Sequence, residues 1–124
     1  MARLTRRAQF LACARAPSAA RGAVVVQALA RTDADVDPAL IRVGFTATKK
    51  IGGAVVRNRA KRRLREAARA LLPGHGRPGV DYVFIARNGT PTREWLRLLD
   101  DVRSALQSLA DARPPRSAPA PAPS

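Results

Sequence analysis

The apolar positions of this chain change period several times, and each change marks an element. Ile41, Val43 and Phe45 alternate with Arg42, Gly44 and Thr46, the period of two expected of a strand with one face in a core. A strand is therefore predicted over 40–48, and Gly44 within it suggests a bulge or a close approach. Residues 21–30 hold Val24-Val25-Val26, a β-branched run that predicts another strand. Val80 to Arg87 reads VDYVFIAR, apolar on both faces like an interior strand covered on both sides. Helical spacing takes over twice. Ala60, Leu64, Ala67, Ala68 and Leu71 fall on one stripe and predict a helix stopped by Pro73 and Gly74. Trp95, Leu99, Val102, Leu106 and Leu109 form a second stripe running to about Ala110, with Thr90-Pro91 as its start and Trp95 in the core. A weaker pattern predicts a short helix over 5–16, ended by Pro17, after a loose start at 1–4. Asp33, Asp35, Asp37 and Pro38 mark a loop at 31–39. Residues 73–79 mark another, with His75 exposed to solvent.

Length sets one small domain, 1–113, followed at 114–124 by a Pro/Ala-rich tail with five prolines. Such a tail is expected to be disordered or polyproline-like. Net charge is +14, which points to nucleic acid or an anionic surface. No apolar run approaches the roughly 20 residues of a membrane span, so no membrane is expected. The one cysteine, Cys13, forms no internal disulfide and fits a reducing, cytoplasmic setting. Aromatics are 4% of the chain, which disfavours a multi-aromatic platform for single strands.

The charge is concentrated in Lys49 to Arg69, KKIGGAVVRNRAKRRLREAAR. From Arg57 to Arg69 there are seven cations and one acid, Glu66. Like charges one helical turn apart repel, and a polyanion offsets that repulsion. Guanidinium groups present a rigid fork suited to phosphate. The expected polyanion-facing residues are Lys49, Lys50, Arg57, Asn58, Arg59, Lys61, Arg62, Arg63, Arg65 and Arg69, which become RNA-facing through the resemblance that follows. Asp81 reads as a turn or arginine-pairing residue, and Arg87 equally as an RNA contact or a structural ion pair. Catalytic groups are missing: one histidine, no Cys/His metal pattern, no P-loop and no acid–base pair.

Lys49-Lys50-Ile51-Gly52, Ala54-Val55, Arg57-Asn58-Arg59, Lys61-Arg62 and Leu64-Arg65-Glu66 together resemble the signature of the bacterial ribonuclease P protein subunit. Arg42-Val43-Gly44-Phe45 before them, and Asp81, Tyr82 and Ile85-Ala86-Arg87 after, resemble it too. The resemblance covers about residues 3–110. It implies an α+β fold, an α-β-β-β-α-β-α sandwich with a central mixed sheet and a left-handed β-α-β crossover. Three strands are clear in the sequence; a fourth would be a short piece near Arg21. The implied function is that of a non-catalytic protein component: the ribonuclease P RNA uses Mg²⁺ to cleave precursor tRNA at the mature 5′ end. The protein, one per RNA, binds that RNA and the 5′ leader. No cofactor is held by the chain itself. By resemblance Phe10 lines the leader cleft, with Arg42 and Phe45 beside it, while Ala14 stands where many members carry a second aromatic. The alternative is a general or ribosomal RNA-binding protein. A helix-turn-helix DNA binder is disfavoured by the strands, and an independent nuclease by the missing acid–base set.

Overall fold

The computed structural model describes residues 2–4, 17–30 and 40–112. In chain order these form β1 (Ala2–Arg3), β2 (Ser18–Arg21), β3 (Val24–Ala30), β4 (Arg42–Thr46), a 3₁₀ turn (Lys49–Ile51), α1 (Ala54–His75), β5 (Val80–Ala86) and α2 (Trp95–Ala112). The helix expected at 5–16, with Phe10 and Ala14, lies outside the described residues, as do the acidic loop at 31–39 and the tail at 114–124.

The strands make one mixed sheet in the order β1-β4-β5-β3-β2. β4 and β5 run parallel and are joined through α1, while β5–β3 and β3–β2 are antiparallel. The strand that is apolar on both faces, β5, takes the centre, and Val80 to Phe84 are all buried. Both helices cover one face of the sheet. Val24, Val26, Val43, Tyr82 and Phe84 meet Ala60, Leu64, Ala67 and Leu72 of α1 and Leu98, Val102 and Leu106 of α2. Alanines at 60, 67 and 68 let α1 lie close to the strands. On the other face Leu4 and Val83 form a smaller cluster with Leu29 and Ile85.

The fourth strand is β2, the piece near Arg21. It pairs with β3 through the two-residue turn Gly22-Ala23. Gly22 sits at φ 50°, the left-handed conformation that so tight a hairpin needs. Gly44 is not at a bulge: it keeps regular register with Val83.

Several expectations are corrected. Of the start expected to be loose at 1–4, the described residues 2–4 are ordered into the sheet, because Ala2 and Arg3 pair in parallel with Arg42 and Val43. The Leu4 N–H donates to the Val43 carbonyl at 2.9 Å, and the Leu4 side chain is buried. Pro73 does not stop α1, which continues to His75 and ends where the Gly76 N–H donates to the Leu72 carbonyl. The proline sits in the last turn on the exposed side, where water can serve the Arg69 carbonyl it leaves unbonded. His75 thus closes a helix and is half-buried rather than fully exposed. The buried stripe of α1 ends on Leu72, with Leu71 partly buried beside it.

α2 begins at Trp95, not at Thr90. Thr90 is fully buried and closes a turn instead: its hydroxyl accepts from the Arg87 N–H at 2.8 Å and donates to the Ala23 carbonyl at 2.5 Å. The buried stripe of α2 is Leu98, Val102, Ala105, Leu106 and Leu109. Leu98 takes the core position expected of Leu99, and Trp95 is turned out.

Candidate nucleic-acid interface

α1 owes its exposed charge to its packing. Its Ala/Leu stripe is pinned to the sheet, so the arginines between must stand on the flanks or the crest. Asn58, Arg59, Arg62, Glu66 and Arg69 are exposed, and Lys61, Arg63 and Arg65 are half-buried. Lys49 and Lys50, on the 3₁₀ turn that leads in, are both exposed. Gly52 joins that turn to α1 at φ 140°, and a Cβ there would lie 2.9 Å from the Val56 side chain. The start of α1 has no side-chain cap and no acid in its first turn. Its free N–H groups and helix dipole therefore add to the positive field of the lysines and arginines around it.

The cations divide into three sets. On the crest, Arg59 and Arg62 line two adjoining depressions. Arg63, Glu66 and Trp95 complete the one toward α2; Val55, Asn58, Lys61 and Arg65 complete the other. On the β4 side, the Arg65 guanidinium stands 5.7 Å from the Phe45 ring centre. Phe45 itself packs on Phe84 with ring centres 5.6 Å apart. On the α2 side, Arg63 is committed to the protein. Its Nη1 donates to the carbonyls of Thr90 at 3.0 Å and Pro91 at 2.9 Å, and its Nη2 to that of Arg93. Burial, and then repulsion from Arg59, hold its pKa below the ordinary guanidinium value. Arg59 spends one donor in the same way, Nε to the Pro91 carbonyl at 3.0 Å. Arg57 is half-buried, and its Nε, like that of Arg65, has no partner among the described residues.

The expected RNA-facing set is thus carried on α1 and the 3₁₀ turn before it, and Arg63 among them also holds the 90–93 turn. The two described members of the expected leader cleft are not brought together. Arg42 and Phe45 point to opposite faces of β4. Phe45 faces α1, whereas Arg42 lies against Asp81, its Nε and Nη2 donating at 2.8 and 2.7 Å. That pair is nearly buried, with side chains 12% and 4% exposed, so Asp81 is an arginine-pairing residue. Arg87 is exposed. The residue missed in the sequence is Trp95, 37% exposed beside Arg63. Spacing gave no sign of it: Trp95 lies three residues before the buried Leu98, on the same helical face, and is exposed because the buried stripe begins only at Leu98.

Among the described residues no three His, Cys, Asp or Glu side chains gather as a metal site, and no helix is long and apolar enough to cross a membrane. The arrangement can bind an extended polyanion across the crest of α1.

Comparison with known proteins agrees. The family model for Ribonuclease P matches residues 1–110. A ribonuclease P protein component from Caulobacter vibrioides (strain NA1000 / CB15N) is 68% identical over 108 residues, covering 87% of this chain and 70% of the relative. One from Ruegeria pomeroyi is 52% identical over 112 residues, covering 90% and 88%. Among solved structures, the Staphylococcus aureus RNase P protein superposes with a TM-score of 0.71 at 26% identity, covering 87% of this chain and 94% of that one. The Thermotoga maritima protein shares the fold, with a TM-score of 0.71 at 24% identity over 87% and 97% of the two chains. With the cationic helix, the mixed sheet and the sequence match coinciding over residues 1–110, the chain belongs to the Ribonuclease P protein family.

Proposed function

We propose that this chain binds the RNA of ribonuclease P through the outer face of α1 and assists cleavage carried out by that RNA. Family membership ties it to tRNA 5′ processing. The observation that carries the finer reading is the crest of α1, where Arg59, Arg62 and Arg69 are exposed with Glu66 as the single acid of that helix. Lys49, Lys50, Arg57, Asn58, Lys61 and Arg65 flank that crest and extend the phosphate contact. Mg²⁺ would be held by the RNA and the precursor tRNA, with none held by the chain itself. Screening two crowded RNAs would lower the Mg²⁺ that cleavage requires. The 5′ leader would lie against Phe10, with Lys49, Lys50 and the polar side of β4 at the junction between leader and RNA. The stoichiometry would be one protein per RNA, in the cytoplasm.

The test is cleavage of a precursor tRNA by a bacterial ribonuclease P RNA at low Mg²⁺, with and without the protein, and with the protein alone. Strong stimulation without cleavage by the protein alone is expected. Arg57→Ala combined with Arg59→Ala should remove the stimulation while the circular dichroism spectrum is kept. Neutralising about six phosphates gives a slope of log affinity against log salt of roughly −4 to −5. Equal binding to unrelated structured RNAs, with no stimulation at any Mg²⁺ level, would move the reading to a general RNA-binding protein.

A further inference from the structure

Trp95 is the chain's one tryptophan. It stands half-open at the seam between α1 and α2 rather than in the core. It is held in place all the same. The Arg63 guanidinium lies 5.8 Å from the ring centre and is itself fastened to three carbonyls of the 90–93 turn. The ring, Arg59, Arg62, Arg63 and Glu66 line a depression of about 600 Å³, within the roughly 300–1,000 Å³ of sites that take small ligands or single residues. Arg59 is steadied through its Nε by the Pro91 carbonyl, and Arg62 is exposed on the crest. Glu66 is surrounded in sequence by arginines yet makes no ion pair with a described residue.

These parts form a set. An open indole backed by a cation offers a stacking surface for a base. Two arginines at the mouth offer phosphate contacts. The carboxylate offers two parallel acceptors, and among RNA bases the guanine Watson–Crick edge is the one that presents two adjacent donors, N1–H and N2–H₂. We infer that this depression holds one unpaired guanine nucleotide of the RNA partner. The base stacks on Trp95, its phosphate meets Arg59 and Arg62, and its edge donates to Glu66. The inference rests on α1 being an RNA-binding face and adds a base preference to it.

The test uses the full chain, with Trp95 emission as a reporter that no other tryptophan obscures. It is titrated with the pentanucleotides UUGUU, UUUUU and UUIUU, where inosine lacks the 2-amino group. UUGUU should quench the emission at concentrations about tenfold lower than UUUUU, with UUIUU between them. Glu66→Ala should abolish that ratio, a readout that loss of a negative charge alone would not move. Trp95→Leu, at an exposed position that leaves the fold intact, should weaken UUGUU binding about five- to hundredfold, read by filter retention. Trp95→Phe should recover part of it. Filter retention of ribonuclease P RNA separates the two readings. RNA retained while Trp95 emission stays constant, or a guanine preference that survives Glu66→Ala, overturns the guanine site alone. No RNA retained at all overturns both.

Discussion

Arg63→Ala is the substitution that most sharply separates scaffold from interface on α1. Arg63 and Arg62 are neighbours of the same chemistry on a helix read as RNA-binding throughout. In the fold, Arg63 makes three charge-assisted hydrogen bonds to carbonyls of the 90–93 turn, and two of those carbonyls belong to the buried residues Thr90 and Pro91. At about 1 kcal/mol net for each bond, these are worth about 3 kcal/mol. The contact with the Trp95 ring adds roughly 0.5 kcal/mol at a partly exposed site. A loss of about 3 kcal/mol corresponds to a fall in Tm of more than about 10 °C for a domain of this size. Arg63→Lys should recover less than half, because one ammonium cannot span three carbonyls. Arg62→Ala, on the exposed crest, should stay within about 0.5 kcal/mol of the parent and lose RNA affinity instead. The assay is urea unfolding followed at 222 nm, paired with RNA retention at fixed salt. An Arg63→Ala protein as stable as the parent, or an Arg62→Ala protein destabilised as much as Arg63→Ala, would refute the division.

Gly22→Ala should destabilise by more than about 2 kcal/mol, since a Cβ there would lie 2.3 Å from the Asp101 carboxylate at a positive φ; thermal melts measure it. Asp101→Ala should cost about 2–3 kcal/mol in urea titrations, because that carboxylate accepts the Ala23 N–H at 3.0 Å and the Arg93 guanidinium at 3.0 and 3.1 Å. The double variant should lose less than the sum of the two, since removing the carboxylate also removes the clash. Burial raises the Tyr82 pKa, outweighing the Arg77 N–H and the Arg77 charge that lower it. The folded chain therefore keeps the phenol proton after the unfolded chain has released it. Stability should be full below pH ~10 and fall as pH rises above it; unfolding free energies at pH 9 to 11.5 test this, and Tyr82→Phe should flatten the fall.

What the sequence made legible was periodicity. The two-period run at 41–46 and the two-faced apolar run at 80–86 are strands because pleat and burial leave those patterns few other solutions. The Ala/Leu stripe of α1 likewise settles which side of that helix carries charge. Less legible were features decided by a partner distant in sequence. Arg63 looks like its neighbours until the carbonyls of Thr90, Pro91 and Arg93 are brought to it. Thr90-Pro91 has the composition of a helix start, but the Ala23 carbonyl claims the Thr90 hydroxyl. Trp95 fits a core stripe by spacing alone, and only the placement of Leu98 shows that the stripe begins one turn later. The β1 pairing was illegible for a similar reason: two residues carry no period.

The sheet order also constrains when this domain can form. The central strand, β5, is the next-to-last of the described elements, and β3 and β4 are joined into one sheet only through it. The β2–β3 turn is then completed by Asp101, 78 residues beyond Ala23. Local contacts therefore build no stable half of the molecule, and closure waits for long-range pairing, the regime of slow and cooperative folding. During synthesis the arginines of α1 leave the ribosome before the strand and the helix that will anchor that element. For that interval the polycation lacks the central strand and the second helix that complete its scaffold, and its Ala/Leu stripe is covered only in part.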